Sequence, residues 1–271
     1  MAFSIHGFSF HETPTELLAL LLEDALIKRE HPTFNVRQRK YGAYLYLRVT
    51  DDAYPACRVV DGQDSAGDRV FGPFGDRYAV ENVIAFVCRH FLARSCKDSH
   101  PFRKCANLDL GLCAGPCRNR VSEEEYGRSI DLALDFLQGN DEWITRKIES
   151  AISGYSASGD CDKAEDQTRQ LRFCRTFSAR QRFIHDFETG VLHIRERGEQ
   201  SWSYHFDRGC LASVTRLRED AGEAADIPAQ LSGTETDRRF LLDRANVVYA
   251  WLVQNQASCS LETRELRPVA T

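Results

Sequence analysis

No apolar run in the 271-residue sequence approaches the roughly 20 residues that a membrane-spanning helix needs. The first residues, MAFSIHGFSF, lack the basic start and the long apolar core of a signal peptide. An excess of positive charge is also missing, because the net charge is −5, and this argues against a uniformly basic nucleic-acid coat. These absences predict a cytoplasmic protein with no membrane partner.

Paired C-x-x-C motifs, the spacing of a zinc ribbon, are absent too, although the sequence contains ten cysteines. In the cytoplasm thiols stay reduced, so these cysteines are expected to be ligands or small buried residues rather than disulfides. Six of them are scattered, and we interpret them as core or surface residues: Cys57, Cys88, Cys161, Cys174, Cys210 and Cys259.

The other four cysteines lie close together, in a C-x8-C-x7-C-x3-C arrangement formed by Cys96, Cys105, Cys113 and Cys117. Four thiolates on irregular loops suit an iron–sulfur cluster, and zinc is the alternative metal. The competing interpretation is four reduced cysteines that simply pack, since free cysteine is often buried. The intact set of four favours a structural metal site that ties the loop to the helices on either side.

The same stretch is basic on an otherwise acidic chain. From Arg89 to Arg120 there are seven Lys or Arg residues and only two acids. Such a segment is a reasonable footprint for DNA phosphates, and the alternative is a solvated loop. The candidate DNA-binding residues are Arg94, Lys97, Arg103, Lys104, Arg118 and Arg120.

The hydrophobic pattern alternates between helical and strand periods, which predicts an α+β fold. The first helix is predicted to start with Thr13 as N-cap, Pro14 at its first position and Glu16 closing a capping box. A second capping box, Ser122 to Glu125, opens another helix. The other predicted elements are a short strand within 3–11, strands in YLYLRV and CRVV, a helix ending near Phe91, a hairpin of helices at 141–153 and 161–184 around a polar break at 154–159, strands in VLHIRE, SWSYHF and CLASVTRL, and a final helix near 236–255.

Glu23 is the unusual residue of the first helix. At helical spacing its neighbours are Ala19, Leu20, Leu26 and Ile27, so its carboxylate is expected to be half buried beside an apolar face. Burying a charge is costly unless a cation compensates it. The alternative is that Glu23 sits at the edge of the apolar stripe and reaches solvent.

Several motifs, in order, resemble the UvrC family, the incision subunit of bacterial nucleotide excision repair. LLEDALIKREHPTFNVRQRKYGAYLYLRVT resembles the end of the family's GIY-YIG nuclease domain and the start of its middle region. FGPF, the run from FLARSCKDS to LGLCAGPC, and SEEEY follow as they do in the family, so the resemblance covers residues 12–140. DCDKAEDQTRQL (160–171) resembles a weak UVR motif, by which UvrC binds UvrB.

The resemblance implies roles for individual residues. Glu23 matches the glutamate that binds the catalytic Mg²⁺ or Mn²⁺, and Asn35 matches the active-site asparagine. A hard divalent cation wants oxygen ligands and would neutralise charge on the phosphodiester. The four clustered cysteines match those that hold a 4Fe-4S cluster. The implied partners are DNA and a UvrB-like protein, and the implied setting is DNA repair in the SOS response.

Part of the family pattern is missing. The GIY and YIG motifs, and the tyrosine and basic residue that they carry, have no counterpart before the first helix. Without them a metal-binding glutamate has nothing to activate water. We therefore expect an N-terminally truncated relative with a defective nuclease site, or half of a split endonuclease whose upstream GIY-YIG half is a separate chain. An RNase H-type Asp-x-Ser-His motif is also absent.

The sequence thus predicts four segments: 1–40, a partial GIY-YIG piece; 41–120, a middle region with the four-cysteine metal site; 121–185, a UVR-like helical hairpin; and 186–271, C-terminal strands and a helix. The predicted function is DNA binding in excision repair, with endonuclease activity left open. The alternative is a non-enzymatic, metal-stabilised scaffold or adaptor.

Overall fold

The computed structural model describes residues 7–32, 44–61, 69–96, 105–218, 222–231 and 238–264. The helices are α1 (Glu16–Glu30), α2 (Arg77–Phe91), α3 (Ala106–Asp109), α4 (Glu123–Leu137), α5 (Glu142–Ala157), α6 (Cys161–Thr189) and α7 (Arg238–Gln254). The strands are β1 (Leu45–Val49), β2 (Cys57–Asp61), β3 (Val70–Phe74), β4 (Val191–Glu196), β5 (Ser201–Asp207), β6 (Cys210–Leu217), β7 (Gly222–Ala224) and β8 (Cys259–Arg264). This mixture of helices and antiparallel strands confirms the α+β class.

The chain divides into two compact units. One unit, the middle unit, comprises residues 42–183, and the other, the terminal unit, combines residues 1–41 with 184–271. The first and last predicted segments therefore share one unit, while the two central segments share the other. In the described part of the chain no helix is long and apolar enough to cross a membrane.

The middle unit has a three-stranded antiparallel sheet in the order β2-β1-β3, with α2 packed against it. Aromatic side chains from three helices form its core. The ring centroids of Phe86 and Phe136 are 4.9 Å apart, and those of Phe136 and Phe177 are 5.0 Å apart. This apolar cluster joins the sheet side of the unit to the helical side.

Helices α5 and α6 form the predicted hairpin. Arg175 on α6 reaches Glu149 on α5 at 2.6 Å, and Arg182 reaches Asp141, the N-cap of α5, at 3.0 Å. Later residues of α6 pair with earlier residues of α5, so the helices run antiparallel. The polar break is shorter than predicted, because α5 continues through Gly154 to Ala157.

The terminal unit is built on a five-stranded, fully antiparallel sheet in the order β7-β6-β5-β4-β8. On β5 the residues Trp202, Tyr204 and Phe206 are buried and alternate with half-exposed residues, so the sheet has one buried and one open face. Helix α1 packs against α7, and Trp251 Nε1 donates to Glu16 at 3.0 Å.

Two local predictions for the N-terminus differ from the structure. The N-cap of α1 is Thr15 rather than Thr13, because the Thr15 hydroxyl accepts the Leu18 N–H at 3.2 Å. Pro14 therefore precedes the helix instead of opening it. Residues 7–11 form no strand, and the rest of the predicted 3–11 strand lies outside the described residues.

Candidate metal centre and nucleic-acid interface

The cysteine segment (residues 92–120) leaves the end of α2 along a fixed backbone path. Arg94 N–H donates to the Tyr126 hydroxyl at 2.9 Å, and Arg94 C=O accepts from Cys57 N–H at 2.9 Å. The Tyr126 hydroxyl in turn donates to Pro55 C=O at 2.7 Å. Buried tyrosine hydroxyls need such partners. Helix α4 and strand β2 thus hold the chain in place just before Cys96.

Arg94 itself is buried, with 7% of its surface exposed. Its Nε donates to Tyr54 C=O at 2.6 Å, and its Nη2 lies 3.3 Å from Asp52. Burial disfavours the charged form, but hydrogen bonding to Cys96 and the charge of Asp52 outweigh it and raise the pKa of Arg94. The guanidinium is thus occupied inside the fold, which does not suit contact with a DNA phosphate.

A second arginine, not among the sequence candidates, also holds this loop. Arg58 on β2 donates through Nη1 to Ser95 C=O at 2.8 Å and through Nη2 to Cys96 C=O. Two arginines therefore contact the chain at Ser95 and Cys96 from inside the fold. Nothing in the local sequence pattern of CRVV indicates this long-range contact.

The far side of the segment is a compact turn that places the other three cysteines. Cys105 is the N-cap of α3, and Cys117 lies in a 3-10 turn, Pro116–Arg118. Between them Gly115 has a φ of 72°, and an added Cβ would come within 2.8 Å of the Leu108 side chain. Any residue larger than glycine would be strained there. Gly115 N–H donates to the Cys113 sulfur at 3.4 Å.

The fold brings the four thiols into one electrostatic neighbourhood. Burial is the main cause that raises the pKa of Cys113, and the Gly115 N–H opposes it. The charges of Cys96, Cys105 and Cys117 raise this pKa further, so Cys113 is within electrostatic reach of the other three thiols. Four like charges in one place are unfavourable unless protons or a cation compensate them.

A fifth thiol, one of the six scattered cysteines interpreted as core or surface residues, lies beside this group. Cys88 on α2 is buried, which raises its pKa to about 11, and the charges of Cys113 and Cys96 contribute. Cys57 is next to Cys88, and burial raises its pKa to about 12. Both are therefore protonated at neutral pH. The sequence pattern did not indicate that Cys88 lies close to the four clustered cysteines.

The four cysteine side chains are suitable ligands for a thiolate-bound metal. Their positions in the structure, however, do not form a ligand shell. Within the described ranges, which omit residues 97–104 between the first two cysteines, no group of three or more His, Cys, Asp or Glu side chains is placed to hold a metal ion. The four-cysteine cluster remains a prediction, supported by the all-sulfur donor set.

Only two of the predicted phosphate-binding side chains stand at the surface of the described segment. Arg120 is exposed, and Arg118 is half-buried. The Nε of Arg118 has no hydrogen-bond acceptor among the residues that the structure describes. The other candidates, Lys97, Arg103 and Lys104, lie outside the described residues.

Of the two predicted nuclease residues, the structure describes only Glu23. Glu23 is exposed rather than half buried, and Asn35 lies outside the described residues. The buried carboxylate of α1 is its neighbour Asp24, whose Oδ2 is 2.6 Å from Lys28 Nζ. The structure thus agrees with the other interpretation of Glu23, in which its carboxylate reaches solvent. Packing of α1 against α7 turns the next position inward instead.

Comparison with known protein families identifies this region. Residues 44–136 match the family model described as UvrC/Cho excinuclease, middle domain. The chain thus contains a UvrC-type middle domain. The matched UvrC region runs from β1 to the end of α4 and includes the whole cysteine segment.

Curated relatives show the same similarity. The UvrABC system protein C of Caldanaerobacter subterraneus is 34% identical over 154 residues, which is 55% of this chain and 25% of the relative. That of Dictyoglomus thermophilum is 32% identical over 183 residues, 66% of this chain and 31% of the relative. The match thus spans only about a quarter to a third of these UvrC proteins. No solved structure matches the chain.

Proposed function

We propose that this chain is a nucleotide excision repair protein that binds DNA through its UvrC-type middle domain. The observation that carries the proposal is the family match over residues 44–136, which encloses the basic, four-cysteine segment. Phosphate contacts from Arg and Lys would supply most of the affinity, as they do in sequence-independent DNA binding. The exposed Arg120 is the described residue best placed for such a contact.

The DNA-binding proposal is tested by charge reversal. We expect Arg120→Glu to weaken binding of a lesion-containing duplex, and the paired change of Arg103 and Lys104 to Glu to weaken it further. The slope of log K against log salt should become shallower by about one for each phosphate-binding side chain that is removed. Fluorescence anisotropy at several salt concentrations measures both effects.

Arg128→Glu is the matched control, because Arg128 is also exposed but lies on α4 in an ion pair with Glu124. Its reversal should leave binding unchanged. Equal DNA binding by all variants would favour the competing function, a metal-stabilised scaffold or adaptor without a DNA role.

We further propose that Cys96, Cys105, Cys113 and Cys117 hold a 4Fe-4S cluster, with zinc as the alternative. The all-sulfur donor set and the electrostatic effect of the other three thiols on Cys113 support this. The cluster would replace the repulsion among thiolates by bonds to a cation and so fix the basic loop. No catalytic step is assigned to it.

Metal content tests the cluster directly. Anaerobically purified protein should contain iron and acid-labile sulfide, and Cys113→Ser should remove both. Cys161→Ser is the control, since Cys161 is exposed at the start of α6. Stoichiometric zinc without sulfide would select the alternative metal, and metal-free protein would contradict both.

Incision by this chain alone is not part of the proposal. Glu23, the candidate metal ligand of α1, is exposed, and within the described residues no group of three or more His, Cys, Asp or Glu side chains is placed to hold a metal ion. We therefore expect no nicking of a lesion duplex with Mg²⁺ or Mn²⁺. Nicking that Glu23→Ala abolishes would overturn this expectation, and nicking only after addition of a GIY-YIG chain would indicate a split endonuclease.

A UvrB-like protein is the proposed protein partner, through the α5–α6 hairpin. The UVR-like residues 160–171 open α6, where Arg169 is exposed and pairs with Glu165 at 3.0 Å. Leu171, by contrast, packs on the core of the middle unit. We expect Arg169→Glu to weaken co-sedimentation with a UvrB-like protein, whereas Arg146→Glu on α5 should not.

A further inference from the structure

The open face of the five-stranded sheet carries two histidines on neighbouring strands. His193 on β4 and His205 on β5 are direct register partners. Both are half-exposed, because the residues before and after them on each strand face the core. Side chains on directly opposed antiparallel residues stand within about 5 Å of each other.

The two imidazoles are already stacked. Their ring centroids are 4.4 Å apart, with an angle of 21° between the ring planes. The backbone ladder fixes both Cα positions, so the two rings are held side by side before any ion binds. Such preorganisation lowers the entropic cost of binding.

The neighbouring positions suit a cation. On the other side of His193 the register partner is Glu262 on β8, which is exposed and lies 3.7 Å from Arg195. On the other side of His205 the register partner is Ser213 on β6. Across strands β8, β4, β5 and β6, the register partners are therefore a carboxylate, two imidazoles and a hydroxyl.

We propose that His193 and His205 form a two-ligand site for a divalent transition-metal ion such as Zn²⁺. Neutral imidazole is a preferred ligand of zinc, copper and nickel. Because no third His, Cys, Asp or Glu in the described residues completes the set as it stands, water fills the remaining positions. The site lies in the terminal unit and is independent of the cysteine segment and of the proposed DNA binding.

Zinc titration of the full chain, followed by calorimetry, tests the site. Every variant keeps the cysteine segment, so differences between variants isolate the histidine pair. His193→Asn and His205→Asn should each weaken one Zn²⁺-binding event by roughly tenfold or more, since even outer partners of a metal ligand cost that much. His185→Asn is the control, because His185 is exposed on α6.

Nuclear magnetic resonance of the unmodified protein gives a readout that does not depend on a variant folding. Added Zn²⁺ should shift the resonances of the ring nitrogens of His193 and His205 together. Zn²⁺ that leaves both rings unshifted, or equal titrations of all four proteins, would reduce the pair to a stacked cross-strand contact.

Discussion

His90, at the end of α2, is a buried imidazole. Only 7% of it is exposed, and its ring lies 4.4 Å from that of Phe86. Burial lowers its pKa to about 4, and the nearby cations Arg89 and Lys147 act in the same direction. A hydrogen bond with Gln170 opposes the shift without cancelling it. His90 is therefore neutral in the folded protein at pH 7.

This depressed pKa predicts acid sensitivity of the middle unit. The unfolded chain takes up a proton at His90 near pH 6.5, whereas the folded protein does so only near pH 4. Stability is therefore lost as pH falls through this window, by about 2 kcal/mol between pH 7 and pH 5. Urea unfolding at both pH values should show this loss, and His90→Leu should reduce it. The control His185→Asn should keep it, and an unchanged pH dependence in His90→Leu would contradict the assignment.

Lys28 illustrates a second buried charge. Its Nζ lies 2.6 Å from Asp24 Oδ2 and 3.2 Å from Asp243 Oδ2, with all three side chains mostly buried. Burial raises the pKa of Asp24, the charge of Lys28 opposes this, and Asp243 adds to it. Lys28 thus forms ion pairs with two carboxylates, Asp24 on α1 and Asp243 on α7.

Replacing this lysine leaves the two carboxylates without their shared cation. We expect Lys28→Met to lower the free energy of unfolding by about 3–5 kcal/mol at pH 7, as for other broken buried ion pairs. The loss should shrink as pH falls, because a carboxyl group with a raised pKa then takes up a proton. Chemical denaturation at pH 7 and pH 5 measures both effects. Lys163→Met, which removes an exposed pair with Asp160, should cost far less.

The sequence predicted that α1 carries an acidic residue beside its apolar face, but it did not show which of two adjacent acidic residues is buried. Glu23 and Asp24 are adjacent on α1, and the apolar pattern around them is nearly continuous. The contact with Asp243 selects Asp24, and that partner is distant in sequence. The positions of Cys88 and Arg58 beside the cysteine segment could not be predicted for the same reason, because they depend on contacts between residues distant in sequence.

The start of helix α4 is an element boundary that could be predicted from neighbouring residues in the sequence. The Ser122 hydroxyl accepts the Glu125 N–H at 3.2 Å, and a Glu125 carboxylate oxygen accepts the Ser122 N–H at 3.1 Å. This confirms the predicted capping box. It could be predicted because both partners lie within one turn.

Removing the cap should destabilise the middle unit modestly. We expect Ser122→Ala to cost about 1 kcal/mol, because a helix N–H loses its acceptor. Thermal unfolding followed by circular dichroism measures the change. Ser150→Ala, at an exposed interior position of α5, should be neutral or slightly stabilising. Equal effects of the two changes would mean that the cap contributes nothing beyond helix propensity.

Elements without a local signal were missed. Strand β8, CSLETR, has little apolar alternation, and it forms by pairing with β4, far earlier in the chain. Strand β7 is three exposed residues at the sheet edge. By contrast β4, β5 and β6 were predicted, because alternating apolar residues and short turns specify such a meander by themselves.

For the molecule as a whole, each unit has its own apolar core. Phe136 is fully buried in the middle unit, and Trp251 is 1% exposed in the terminal unit. The four segments were predicted from changes in the hydrophobic pattern along the sequence. That pattern does not show that α1 packs on α7. Amphipathic faces indicate that a partner exists without saying which one it is.

Separate cores predict separable unfolding. Trp251→Ala removes a large core side chain and should cost about 3–5 kcal/mol locally, and Phe136→Ala should cost as much in the other unit. Hydrogen exchange should then show faster exchange in β4 to β6 and α7 for Trp251→Ala, with α4 still protected. Phe136→Ala should show the reverse. Cooperative units of this kind open with their own free energies. Uniform loss of protection along the whole chain in both variants would mean that the continuous helix α6, which contributes residues to both units, couples them into a single folding unit.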